Sequence, residues 1–361
     1  MRCLFCCSTP YQVMVATLLR FQCTEEDDTA DLILTDTFTN YDVTGERIIN
    51  SGVYNDVFYA YVKSFVVSKT ISGKIEKFRN IYLPAYAIPD KARSKVYDIV
   101  FFNCEDLFTF NITTFFKRKN RYCKIMRYEE GYSSYTNLNG TSLKSKKAIE
   151  IRNRILWPDC SINIDGFYVF EPEMLLKRYS CLIKKIDRNV INKNEYRRFI
   201  QCAFNTQNIA NCYKEKIVIF EESFVNDGFD VDDIELFEQI IKRIGTEKIV
   251  VKLHPRSKVN RFSGLNVPVM KPDGIPWEAI LLDLNTSNVT MIALGSGSVI
   301  NGRLLAGDST KAILLYKCLK KRPVAFDKNF DEFMARFHEK YGKDVFIPDS
   351  YDYLMSVLRD R

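Results

Sequence analysis

RCLFCCSTPYQVMVATLLRFQ, residues 2–22, decides how the rest of the chain is read. Arg2 to Cys7 is a short apolar run closed by a polar cluster, which reads as a buried strand. Ser8 or Thr9 can then cap, and Pro10 can occupy the first helical turn, where its missing N–H has no intrahelical partner in any case. The helix continues through YQVMVATLLRFQ. Strand, capped turn and helix together open an α/β unit.

The unit recurs outward along the chain. ADLILTD (30–36), VFYAYV (57–62), YDIVFFNC (97–104) and KIMRY (124–128) read as further strands, separated by lengths that suit helices. A polar, helix-favouring stretch over 189–213 precedes a second series of strands: KIVIF (216–220), KIVVKL (248–253), NVTMIAL (288–294) and AILLY (312–316). Helical DDIELFEQIIKRI and PWEAILLDL lie between them, and a further helix is expected after SGS. Alternation of this kind predicts an α/β chain of two Rossmann-like domains with parallel sheets facing across a cleft. The boundaries fall at 1–190 and 214–361, with a linker helix over 190–213.

Composition agrees with this reading. Hydrophobic content of 46% and charged content of 27% are those of a globular protein, and 361 residues suffice for two cores. No apolar run approaches the roughly 20 residues that span a bilayer, and Met1 to Cys7 lacks a signal peptide's length, so a cytoplasmic location is expected. Eleven cysteines, odd in number and scattered, read as reduced thiols. Cys3 and Cys6 form a CxxC inside an apolar strand with no second pair at zinc spacing, so no metal is expected there.

The net charge of +7 concentrates in FFKRKNRYCK (115–124) and KSKKAIEIRNR (144–154). Such stretches are usually solvated faces. As partner sites they fit an anionic membrane surface, at the inner face of the cell membrane, better than nucleic acid, because no nucleic-acid motif accompanies them.

In open α/β sheets ligands bind beyond the carboxyl ends of the strands, which selects four loops. After KIMRY comes Glu129, Glu130 and Gly131. After KIVIF comes EESFVNDG, with Glu221, Glu222, Asp227 and Gly228. Acidic residues at strand ends are commonly caps, yet a carboxylate beside a bound hydroxyl can take its proton. After KIVVKL comes HPRS, holding His254, one of only two histidines. Pro255 biases His254 toward an extended conformation and ends the strand. His254 is either packed there with one backbone hydrogen bond or faces a crevice. After MIAL comes GSGS, in which Gly295 and Gly297 allow close backbone approach while Ser296 and Ser298 can cap the next helix, as ordinary helix starts do, or seat a phosphate. FDVDD (229–233) is better read as a helix cap by Asp232 or Asp233 than as a metal motif.

In that order, Glu129-Glu130-Gly131, His254-Pro255-Arg256 and the serines of GSGS, with the opening CCSTPYQ and IPWE (275–278), resemble the bacterial sialyltransferases. The likeness is greatest to glycosyltransferase family 52, the lipooligosaccharide and capsule sialyltransferases, and spans nearly the whole chain. It implies a GT-B fold, CMP-N-acetylneuraminic acid as donor, inversion at the anomeric carbon and no metal or other cofactor. His254 would lie at the donor phosphate. Pro255, Arg256, Glu278, Gly295, Ser296, Gly297 and Ser298 would bind the donor, and Thr9, Tyr11 and Gln12 a galactose-terminated acceptor in the N-terminal domain. The base would fall in the loop after the first strand of the C-terminal domain, at Asp227. EESFVND departs from the family's usual turn, so Glu222 and Glu129, with its neighbour Glu130, stay open as bases. An α2,3 product is expected, and some relatives dimerise. A GT-B transferase using another donor, such as a UDP-hexose, and a non-catalytic nucleotide or polyanion binder are the competing readings. His338, in a charged amphipathic segment, is given no function.

Overall fold

The computed structural model describes residues 1–66, 70–83, 85–104, 106–136, 163–271, 274–284, 289–307 and 310–359, together with 147, 150, 151 and 155. Most of the basic stretch 144–154 lies outside the described residues. The chain divides into two compact units, residues 1–172 with 178–204, and residues 173–177 with 205–361.

The first unit holds seven strands: β1 (Arg2–Cys7), β2 (Thr29–Thr35), β3 (Asp56–Ala60), β4 (Ile99–Phe102), β5 (Lys124–Tyr128), β6 (Gly166–Val169) and β7 (Leu182–Lys185). Their order is β3-β2-β1-β4-β5-β6-β7, and every pairing is parallel. The strand order reverses between β1 and β4, which sets the end of β1 at the topological switch point. Cys3 to Cys7 are buried without a break, as a parallel strand covered on both faces requires. Phe5 stacks on Phe101 at 4.5 Å. Burying one such ring is worth about 1.5–3 kcal/mol.

Helix Pro10–Cys23 starts as its sequence dictates. Thr9 Oγ1 accepts from the Gln12 N–H at 3.2 Å, and Gln12 Oε1 accepts from the N–H groups of Ser8 and Thr9 at 2.6 and 3.1 Å. This is a closed capping box, which meets first-turn donors that the helix cannot meet itself.

The second unit holds β8 (Ile217–Phe220), β9 (Ile249–Lys252), β10 (Val269–Met270), β11 (Thr290–Ala293), β12 (Lys311–Leu314) and β13 (Val345–Phe346). Their order is β10-β9-β8-β11-β12-β13, again all parallel. The switch point falls between β8 and β11, so the loops after β8, β9 and β11 leave the sheet side by side.

Two expectations need correction. Residues 190–213 are not one linker helix: Asn194–Phe204 is a helix of the first unit, with Tyr196, Phe199, Ile200 and Phe204 buried, and Tyr196 donates to the Met14 carbonyl at 3.3 Å. The apolar face of an amphipathic segment has found a core. Nor do Asp232 and Asp233 cap helix Asp233–Ile244 through their side chains. Asp232 accepts from the N–H groups of Lys320 and Lys321, and Asp233 is buried in a two-pronged ion pair with Arg261.

Candidate active site

In the second unit the loops after β8, β9 and β11 are stitched together by two consecutive carboxylates. Glu221, fully buried, turns toward β9: it accepts from the His254 N–H at 3.1 Å, the Ser257 hydroxyl at 2.5 Å and Arg261 Nε at 3.2 Å. Glu222 turns the other way and accepts from the Gly295 N–H at 2.6 Å. The pair in EESFVND therefore fixes the HPRS loop with one member and the GSGS turn with the other. Burial raises the Glu222 pKa to about 7, against the Gly295 hydrogen bond that favours the charged form.

His254 owes its geometry to the proline behind it. Residues 254–257 form a turn closed by the Ser257 N–H on the His254 carbonyl at 2.9 Å, with Pro255 at its second position. Pro255 has no N–H, and the next one, of Arg256, reaches back to His254 Nδ1 at 3.1 Å. Accepting there fixes the neutral tautomer with its proton on Nε2. That proton meets no acceptor among the described residues. Burial first, then the positive charges of Arg256 and Lys252, depress the imidazole pKa to about 4. At neutral pH the group is thus a hydrogen-bond donor rather than a charged acid.

Arg256 points away from the turn and forks the Asp227 carboxylate at 3.0 and 3.1 Å. The Ser223 hydroxyl donates to Asp227 at 2.6 Å and accepts from Arg256 at 2.7 Å. Asp227, expected as base, and Arg256, expected as a donor contact, therefore hold one another.

In the GSGS turn, Gly295 is set by packing: a Cβ there would meet the Phe326 ring at 2.6 Å. Its N–H is committed to Glu222, so it is not a phosphate donor. Ser296 takes the N-cap position of helix Gly297–Ala306 without a side-chain cap bond. Gly297 and Ser298 occupy the first turn, half-buried, where N–H groups have no intrahelical acceptor. This end of the turn suits an anion.

Glu278 is buried at the start of helix Trp277–Asp283, its pKa raised to about 7 by burial and opposed by the charge of Lys252. Lys252, the last residue of β9, is itself buried and its ammonium pKa is lowered by desolvation. Sequence reading missed Lys252, Ser257 and Arg261. The lysine at a strand end otherwise made of Ile and Val was the available signal, because lysine is seldom buried without a charged neighbour.

In the first unit Glu129 is fully buried and used on both oxygens. Tyr11 donates to Oε1 at 3.0 Å, Phe170 N–H to Oε2 at 2.9 Å, and the Tyr135 hydroxyl also to Oε2. Burial still raises its pKa to about 7. Glu130 is half-buried, and its N–H donates to the Ser134 hydroxyl at 2.9 Å. Of the three expected acceptor contacts, Thr9 and Gln12 close the capping box and Tyr11 serves Glu129. The T-x-x-Q spacing was the signal for that structural use. Close by, buried Glu171 pairs with Arg188 at 2.6 Å. Among the described residues, no group of three His, Cys, Asp or Glu is placed to hold a metal ion.

The family described as alpha-2,8-polysialyltransferase (POLYST) matches residues 3–315. No curated protein matches the chain. Among solved structures, the UDP-GlcNAc 2-epimerase from Methanocaldococcus jannaschii superposes with a TM-score of 0.54 at 12% identity, over 99% of this chain and 92% of that one. A sialyltransferase from Photobacterium damsela gives 0.52 at 10% identity, over 96% and 81%. A spinosyn rhamnosyltransferase complexed with thymidine diphosphate gives 0.52 at 8%, over 99% and 92%. At these identities the likeness is one of fold, and the fold is the GT-B arrangement of two parallel-sheet α/β domains.

Proposed function

From the premise that the chain belongs to the alpha-2,8-polysialyltransferase family, we propose that it is an inverting sialyltransferase. It moves N-acetylneuraminic acid from CMP-N-acetylneuraminic acid to a hydroxyl of a bacterial surface glycan, on the cytoplasmic side and without a metal. The observation that carries the reading is the neutral His254, with Nδ1 occupied and Nε2–H available at the end of β9, with only β8 between β9 and the strand β11 that leads into the GSGS turn.

In this reaction the acceptor oxygen forms a bond to the anomeric carbon as the bond from that carbon to the CMP phosphate oxygen breaks. CMP departs as a phosphate monoester. His254 Nε2–H, the Ser296 and Ser298 hydroxyls and the N-terminus of helix Gly297–Ala306 meet the charge that develops on it. Glu278 and Lys252 line the nucleotide side. The acceptor proton goes to a carboxylate: Asp227 first, once Arg256 releases one of its oxygens, then Glu222, and Glu129 last, since all its contacts are internal. Acceptor binding is proposed for the N-terminal domain and donor binding for the C-terminal one.

The family's description favours an α2,8 bond to a sialic acid already on the acceptor. A galactose-type hydroxyl with an α2,3 product is the second reading, supported by the motifs that resemble family 52. The test is a panel of nucleotide sugars offered in EDTA with galactose-terminated and sialic-acid-terminated oligosaccharides, followed by linkage analysis. Turnover of CMP-N-acetylneuraminic acid alone supports the proposal, and turnover of a UDP-hexose alone would replace the donor.

A further inference from the structure

Helix Ile71–Tyr82, which follows the edge strand β3, is built inside out. Its buried positions are Gly73 and Asn80, and the Asn80 carbonyl accepts from Asn111 Nδ2 of helix Leu107–Lys119 at 2.7 Å. Its outer stripe is apolar: Ile71, Ile75, Phe78 and Tyr82, spaced i, i+4, i+7 and i+11, are 79%, 53%, 63% and 52% exposed. Tyr61, Leu83 and Tyr86 extend the patch, each more than half exposed. Large apolar side chains in a continuous stripe on the outside of a helix mark an interaction surface.

The charge around the stripe identifies its occupant. Residues 61–94 hold seven Lys and Arg against two acidic residues, a net +5 within a chain of +7. On the helix itself Lys74 and Arg79 flank the stripe on its two sides, and the single carboxylate, Glu76, is paired with Arg79 at 3.0 Å. A two-fold contact between copies would press these like-charged faces together. An anionic bilayer surface satisfies both halves: acyl chains take the isoleucines and Phe78, phosphates take the lysines, and the tyrosines sit at the boundary.

We propose that helix Ile71–Tyr82, with Tyr61, Lys63, Leu83 and Tyr86, docks this protein on an anionic lipid surface. The stretch 115–124 is less suited, because Phe116 is buried and Lys117 Nζ donates to the Cys123 carbonyl at 2.7 Å. The proposal goes beyond the reaction and holds whichever sugar is transferred.

The test is sedimentation of the full chain with vesicles of equimolar phosphatidylglycerol and phosphatidylcholine, compared with phosphatidylcholine alone. Binding to the anionic vesicles is expected to be at least about 10-fold tighter and to weaken with salt. Ile75→Ser with Phe78→Ser should lower it by about 10-fold or more, and Lys63→Glu with Lys74→Glu should remove most of the preference for the anionic lipid. These residues are exposed, so circular dichroism should show unchanged folding. Absence of binding, equal binding to both vesicles, or undiminished binding by the Ile75/Phe78 variant would overturn the proposal. So would sedimentation velocity in which that variant turns a dimer into a monomer, since a second copy would then cover the stripe.

Discussion

The Arg256 guanidinium holds both carboxylate oxygens of Asp227, at 3.0 and 3.1 Å, across the mouths of two neighbouring strand-end loops. Both residues are partly exposed, so the pair is worth little to stability, on the order of 0–1 kcal/mol. Its interest is chemical. The carboxylate expected to take the acceptor proton is engaged, and an acceptor hydroxyl must compete with a guanidinium and with Ser223 for it.

Asp227→Asn keeps the shape of this carboxylate and removes its basicity. Turnover is expected to fall by about two to four orders of magnitude while donor affinity stays near that of the intact protein. Steady-state kinetics with a saturating acceptor check this. Wild-type turnover in Asp227→Asn would transfer the role to Glu222.

The chain has only two histidines, so proton NMR of the imidazoles resolves His254 directly. One resonance should titrate near pH 4, disappear in His254→Ala, and move to higher pH when CMP is added, because a bound phosphate favours the imidazolium. A midpoint near the ordinary histidine value, unaffected by CMP, would refute the buried, neutral donor described above.

Glu222 gives a pH dependence of defined sign. Burial holds its folded-state pKa at about 7, above the usual value near 4.5, so its stabilising contribution is complete below about 4.5 and lost as pH rises through about 7. Glu129 and Glu278 act in the same direction over the same window, while His254, shifted downward, costs stability as pH falls from 6.5 to about 4. Glu222→Gln should preserve the bond from Gly295 and flatten the loss, by at most about 1.4 kcal/mol per pH unit. Denaturant unfolding at pH 5, 6 and 7 measures it, and an unchanged slope would contradict the burial argument.

Glu129 should behave as a structural hub. Glu129→Ala removes the buried acceptor of two tyrosine hydroxyls and of the Phe170 N–H, and is expected to cost about 2–5 kcal/mol and lower the melting temperature. Glu129→Gln should lose less, and its kcat should fall only as far as its folded fraction falls. A stable Glu129→Gln protein without turnover would instead make Glu129 catalytic.

The strand and helix alternation was legible because each long element carries its own pattern. CLFCC alternates with nothing and is buried on both faces, and TPYQ announces a cap. Four strands were not legible: GFYV at β6 opens on a glycine, LIKK at β7 is half lysine, and β10 and β13 are two-residue edges too brief for any period. Within the site, the loops were found by the strand-end rule, but the division of labour inside them was not. Nothing in EE says that Glu221 turns to His254 and Glu222 to Gly295, contacts 33 and 73 residues apart. Those choices belong to the sheet order, which places β9 and β11 on opposite sides of β8.

The most direct measurement is acceptor-dependent release of CMP from CMP-N-acetylneuraminic acid in EDTA, comparing the intact protein with His254→Ala. Release by the intact protein, reduced by about two orders of magnitude or more in the variant with its fold preserved, is the predicted result. Equal release by both would contradict the role of His254 at the donor phosphate, and release by neither would contradict the proposed donor.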